Sequence, residues 1–214
     1  MTMRIAVAIS GRGSNLDALL QALGPGAPAG IVLVLTDRAE APGLAHARTR
    51  GIPVTVLSQP ADAASWLNSL QRFRIDLLVL AGYLRLVPAQ VVAAYRDRII
   101  NTHPALLPAF GGKGMYGRQV HEAVLASGAR ESGVTVHLVD EVYDHGAVLA
   151  QTRVPVLHDD TPERLAARVL EAEHRLLPAV VLAAAAAGRP VPLEPGVGGQ
   201  ELGSRLQTPS SRLL

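Results

Sequence analysis

The sequence predicts an α/β fold: an open, mostly parallel twisted sheet with helices on both faces and a late antiparallel hairpin. Three observations point there. Short apolar runs, clearest at residues 3–9 and 76–80, read as strands buried on both faces. Segments of helical periodicity alternate with them, the pattern of a parallel sheet with crossover helices. Residues 133–139 and 147–154, in contrast, follow one another across a short acidic turn and so pair as a hairpin.

The first strand, residues 3–9, runs into Ser10-Gly11-Arg12-Gly13-Ser14-Asn15 and then a helix from Leu16. Strand, glycine turn and helix start together form a setting where backbone N–H groups bind an anion. Ser14 and Asn15 are capping types and add side-chain donors. After a loop at 24–28, a second strand (31–35) ends in Thr36-Asp37-Arg38. A helix (43–49), a short strand (54–57) and a helix (62–73) follow. The strand at 76–80 leads into Ala81-Gly82-Tyr83-Leu84-Arg85, and Pro88 opens a helix through Tyr95. Residues 109–117 (AFGGKGMYG) are glycine-rich and expected to be mobile; 118–126 form a helix with Gly128 as its stop. Thr161 as N-cap and Pro162 open a long helix to about residue 187, with a kink or break expected at Pro178. A short strand (191–193) and a loosely ordered tail complete the chain. Residues 1–188 are expected to form one domain.

Composition narrows the function classes. Hydrophobic residues make up 49% and aromatics 3%, so a large core must be built from Leu, Val, Ile and Ala. Formal charge is +2, and the pI of about 9.4 reflects arginine outnumbering lysine, with Lys113 the single lysine. No dense basic run marks a nucleic-acid surface. The absence of cysteine excludes disulfides, thiolate nucleophiles and thiolate metal sites. With no leader pattern and no apolar stretch long enough for a membrane, a cytoplasmic protein is expected.

The chemistry concentrates at Ile99-Ile100-Asn101-Thr102-His103-Pro104. In an extended strand residues i and i+2 share a side, so the Asn101 amide and the His103 ring face one way. Pro104 and Pro108 stiffen the exit. A donor amide beside a titratable ring suits acyl-type chemistry: one stabilises an oxyanion, the other moves a proton. The glycine turn, residues 82–85 and Asn101/His103 all follow strands, so they can share the crevice at the strand ends. The glycine turn is no Walker A loop, since no lysine follows, and Leu16 takes the place of the third glycine of a dinucleotide fingerprint. Asp37 keeps an NAD(P)-dependent oxidoreductase open, and a non-enzymatic nucleotide-binding module is a further alternative. His137 reads as packing or as support for the site. His46, His121, His145 and His158 read as surface or helix residues, Glu173 as a helix residue that could face the crevice but by default lies on a solvated face, and no metal site is expected.

Four stretches in this order, Ser-Gly-x-Gly-Ser-Asn, Val-Leu-Ala-Gly-Tyr-Leu-Arg, Ile-Asn-Thr-His-Pro-Ala-Leu-Leu-Pro and the turn at 140–146, resemble the phosphoribosylglycinamide formyltransferase family over about residues 3–187. The histidine-proline stretch alone marks the wider formyltetrahydrofolate-using superfamily. The Gly-Ser-Asn turn narrows it. The 214 residues also lack room for the extra domains of methionyl-tRNA formyltransferase or formyltetrahydrofolate deformylase. The resemblance implies a Rossmann-like formyltransferase sheet, with a phosphate-binding half (1–100) and a folate-binding, catalytic half (101–188). It implies catalytic roles for Asn101, His103 and Asp144. Gly13, Ser14 and Asn15 would hold the phosphate of glycinamide ribonucleotide, and Glu173 would lie near its glycyl amine. Leu84, Arg85, Leu86 and Val87, with Asn101, Asp140 and Glu141, would bind the co-substrate 10-formyltetrahydrofolate. The partners implied are these two small molecules and no nucleic acid, with a homodimer left open. Asp144 beside His103 is expected to raise the ring's pKa. Three positions depart from the family pattern. No arginine occurs at 58–64, where one often reaches the folate tail. Phe110-Gly111-Gly112 replaces Phe-Pro-Gly, which should loosen that loop. His145 stands where Thr or Gly is commoner.

Overall fold

The computed structural model describes residues 2–193. Seven strands form one sheet in the order β3-β2-β1-β4-β5-β6-β7. β1 (Met3–Ile9), β2 (Ala29–Thr36), β3 (Val54–Val56), β4 (Leu77–Leu80) and β5 (Ile99–His103) run parallel, and β6 (Glu131–Leu138) and β7 (Val148–Pro155) are antiparallel to their neighbours. The strand order reverses between β1 and β4, and their carboxyl ends flank the crevice expected at such a switch point.

Each helix follows from local chemistry. α1 (Ser14–Ala22) starts at Gly13, whose φ of 72° is left-handed. A Cβ on Gly13 would lie 2.8 Å from Gly43 Cα, so the turn is pressed against the start of α2 (Leu44–Thr49). Contrary to the expected capping by Ser14 or Asn15, no side chain caps α1. Its first N–H groups are therefore left for an outside acceptor. Asp62 caps α3 (Ala63–Arg72) by accepting from the Ala64 and Ser65 N–H groups. Pro88 precedes α4 (Ala89–Ala94), and α5 (Arg118–Ala126) keeps its expected bounds. α6 (Pro162–Ala187) runs 26 residues through Pro178 without the break its proline suggested. Pro178 itself is buried, and the apolar residues around it, Leu176, Leu177, Val180 and Val181, lie in the core. That packing outweighs the lost backbone bond.

Two apolar layers cover the sheet. α1 and α6 pack with Ile5, Val7 and Ile9 on one face; Trp66, Leu70, Val91 and Tyr95 cover Ala6, Ala8, Leu33 and Leu35 on the other. Residues 191–193 are not the expected strand: the Leu193 N–H donates to the Leu149 carbonyl at 2.9 Å, a single bond to β7 rather than a ladder. The expected loose tail falls at 194–214, outside the described residues. Among the described residues no helix is long and apolar enough to cross a membrane.

Candidate active site

β5 brings the site together. Asn101 and His103 project to one side, as the period of two requires. On the same wall of the crevice, Asp144 reaches in from the turn between β6 and β7, with a left-handed φ of 54°. Its Oδ1 lies 3.3 Å from Asn101 Nδ2, and its Oδ2 lies 3.4 Å from His103 Nδ1 and accepts the Gly112 N–H at 3.0 Å. The His103 Nε2–H donates to the Phe110 carbonyl at 2.8 Å. That bond leaves Nδ1, beside Asp144, as the nitrogen able to exchange a proton with a ligand.

The same contacts tie two backbone groups of the loop, at Phe110 and Gly112, to the site although the loop carries no Phe-Pro-Gly. Gly111 packs so closely that a Cβ there would lie 3.2 Å from Asp144 Cβ.

The ring of His103 is 3% exposed. Burial lowers its pKa below the ordinary value, and the attraction of Asp144 does not reverse this. The expected rise therefore does not occur, because desolvation of the imidazolium outweighs one carboxylate at 3.4 Å. For Asp144, burial favours the neutral acid. The facing His103 ring and the Gly112 N–H help to offset it, and the carboxyl sits below the usual range.

These groups line a cavity of about 680 Å3. Gly13, Ser14 and Asn15 form one end, with Thr102 and Glu173 alongside. Leu84, Arg85, Leu86, Val87, Val142 and Tyr143 form another part of its wall, next to Asp140. Leu84, Leu86 and Val142 are exposed, an apolar rim suited to a flat ring system. Glu141 is solvent-exposed and is not part of this wall. Asp37 is committed elsewhere: Ser10 Oγ donates to it at 2.6 Å and Arg85 Nε at 2.7 Å. Each oxygen already accepts one hydrogen bond, which weakens the support for a dinucleotide site. Asp140 pairs with His145 at 2.7 Å.

Glu173 is not the solvated helix position expected. It is 7% exposed, and Thr102 Oγ1 donates to it at 3.0 Å. Burial pushes its pKa up, and hydrogen bonds from Thr102 and Asn15 only partly offset this. A raised native pKa stabilises the fold at acid pH, and that contribution is lost as pH rises through the native value. Glu173→Gln is therefore expected to raise Tm in alkaline buffer and to change it little in acid. A lower Tm in alkaline buffer, measured by thermal melting, contradicts this reading of Glu173.

Sequence reasoning passed over Arg12, Thr102, Lys113 and Tyr116, all on the cavity wall. It also missed that His121 is buried. Two buried polar atoms of wall residues, Asn15 Oδ1 and the Tyr83 hydroxyl, have no hydrogen-bond partner among the described residues. A cavity with unspent polar groups, an apolar rim and an uncapped helix start fits a ligand that carries both an anion and a flat ring. Among the described residues no three His, Cys, Asp or Glu side chains are grouped to hold a metal ion.

Comparison with known proteins agrees with this geometry. The formyl transferase family matches residues 3–181. The chloroplastic phosphoribosylglycinamide formyltransferase of Vigna unguiculata is 49% identical over 185 residues, 83% of this chain and 59% of the relative. The chain thus spans less than two thirds of that relative's length. The phosphoribosylglycinamide formyltransferase of Haemophilus influenzae is 35% identical over 187 residues, covering 83% of this chain and 85% of its own. The crystal structure of phosphoribosylglycinamide formyltransferase from Brucella melitensis superposes with a TM-score of 0.78 at 44% identity, over 87% of this chain and 97% of that one. The structure from Anaplasma phagocytophilum gives 0.82 at 38% identity, over 87% and 88%. With the motifs, the sheet order and the match to residues 3–181 in agreement, the chain belongs to the formyl transferase family.

Proposed function

We propose that this chain transfers the formyl group of 10-formyltetrahydrofolate to the glycyl amine of glycinamide ribonucleotide, a step of de novo purine synthesis that yields N-formylglycinamide ribonucleotide and tetrahydrofolate. The observation that carries this is the meeting of Asn101, His103 and Asp144 on the wall of a cavity that also holds the Gly13–Ser14–Asn15 turn. The uncapped start of α1 holds the phosphate, and Glu173 lies near the amine. The apolar rim of Leu84, Leu86 and Val87, with Arg85 and Asp140, receives the folate. The phosphate turn falls in residues 1–100 and Asn101, His103 and Asp144 fall in 101–188, while the folate rim draws on both.

The folate supplies the formyl group on N10. Attack by the neutral amine on the formyl carbon makes a tetrahedral oxyanion, and an Asn101 N–H stabilises it. One such donor is typically worth about 2.7–4 kcal/mol of barrier. His103, neutral near pH 7 because it is buried, takes the amine's proton at Nδ1. Asp144 holds the resulting imidazolium. His103 then returns the proton to N10 as the C–N10 bond breaks, so no covalent bond to the protein is needed.

A base that must be neutral loses activity as pH falls through its pKa. For kcat/KM we therefore expect an acid limb below the ordinary histidine value of 6.5 and a plateau above it. An alkaline limb in place of the acid one contradicts neutral His103 as the base. The function itself is tested by mixing the protein with both substrates and following tetrahydrofolate release by absorbance. Release that requires glycinamide ribonucleotide supports the reading. Ribonucleotide binding without release points to a binding module, and NADH oxidation points to an oxidoreductase.

A further inference from the structure

Formyl transfer of this kind needs Asn101 to present N–H rather than C=O to the oxyanion. A side-chain amide can take either orientation unless its neighbours hold one. Two neighbours decide it here. The Asp144 carboxylate can only accept, and its Oδ1 lies 3.3 Å from Asn101 Nδ2. His137 Nε2 lies 3.1 Å from the same nitrogen. The Leu138 carbonyl, also only an acceptor, lies 2.8 Å from His137 Nδ1. In the neutral ring the proton therefore sits on Nδ1, and Nε2 carries a lone pair. Turning the amide over would set its oxygen against that lone pair and a carboxylate at once. The fold builds this pairing in: His137 stands opposite Asn101 in the antiparallel register of β5 and β6. The ring is 2% exposed, so water does not compete for the bond.

We propose that His137 is a positioning residue, whose Nε2 holds the Asn101 amide nitrogen toward the reacting formyl oxygen. This rests on the formyl-transfer reading above. As the oxyanion forms, Asn101 keeps its bond to His137 and exchanges the longer one to Asp144. His137 faces the Asn101 amide with one nitrogen and the Leu138 carbonyl with the other. It differs from His103, which carries the proton.

The test compares kcat, KM and the pH profile of the wild type with His137→Leu and His137→Gln. His137→Leu is expected to lower kcat roughly ten- to a hundredfold, less than outright loss of an oxyanion donor. Both KM values and the acid limb should stay in place. Gln offers an oxygen to the same amide hydrogen, so His137→Gln should recover most of the loss. Wild-type kcat in His137→Leu, or equal losses in both variants, overturns the proposal. If circular dichroism shows that His137→Leu does not fold, nitrogen-15 NMR of the wild type decides. A protonated Nδ1 with a bare Nε2 upholds the role; a protonated Nε2 overturns it. A wild type that transfers no formyl group sinks the functional reading and this role with it, whereas an active wild type beside an unaffected Leu variant sinks the role alone.

Discussion

His103→Ala is expected to cut kcat roughly a thousandfold, within the range of about 10²–10⁴ found for a positioned acid–base group. The ring takes the amine's proton at Nδ1 and returns it to N10, and no other titratable group in the site is as well placed. Asp144 is held below the usual carboxylate range and is a poor base near neutrality. The substitution removes the bond to the Phe110 carbonyl and the pairing with Asp144 and leaves a cavity where a buried ring stood. KM should change far less than kcat, since removing a group that acts mainly in the transition state leaves ground-state binding intact. Steady-state kinetics, with circular dichroism to confirm folding, checks this. A folded His103→Ala protein with near-normal kcat removes His103 from the mechanism.

Asp144→Asn is expected to cost roughly a hundred- to a thousandfold in kcat, comparable to losing an electrostatic stabiliser of the transition state. The carboxylate serves three neighbours at once: Asn101, His103 and the Gly112 N–H. An amide of the same shape has a single accepting oxygen, so it cannot serve Asn101 and Gly112 together. It also removes the charge that holds the imidazolium. The pKa of His103, already lowered by burial, should fall further, because its one favourable carboxylate is gone. The acid limb of kcat/KM should move to lower pH in this variant. An unmoved limb together with near-normal kcat contradicts the role given to Asp144.

The parts of this site that were legible in the sequence are local ones. A period of two puts Asn101 and His103 on one side of β5, and Pro104 ends the strand just beyond them. The run from β1 through Gly13 to α1 is equally local, and Gly13 proved to need its left-handed φ and its closeness to Gly43. What escaped depends on chain segments far apart. His137 read as packing or support, but that Asn101 is the residue it faces follows from the register of β6 against β5, which neither strand's pattern encodes alone. That Glu173 is buried follows from how α6 docks beside Thr102. The direction of the His103 shift turned on a contest between burial and one carboxylate, and only coordinates supply both sides. Gly111 and Gly112 read as slack, yet Gly111 has no room for a Cβ beside Asp144, and Gly112, at a left-handed φ of 97°, donates its N–H to Asp144.

The central claim is direct formyl transfer at the Asn101–His103–Asp144 wall. Its most direct test is a single turnover with carbon-13 in the formyl group of 10-formyltetrahydrofolate, read by NMR in the presence of glycinamide ribonucleotide. The label is expected to appear on the glycyl nitrogen as tetrahydrofolate forms, with none attached to the protein, and His103→Ala is expected to slow its appearance roughly a thousandfold. Label released as formate, label bound to the protein, or equal rates in the two proteins would contradict that claim.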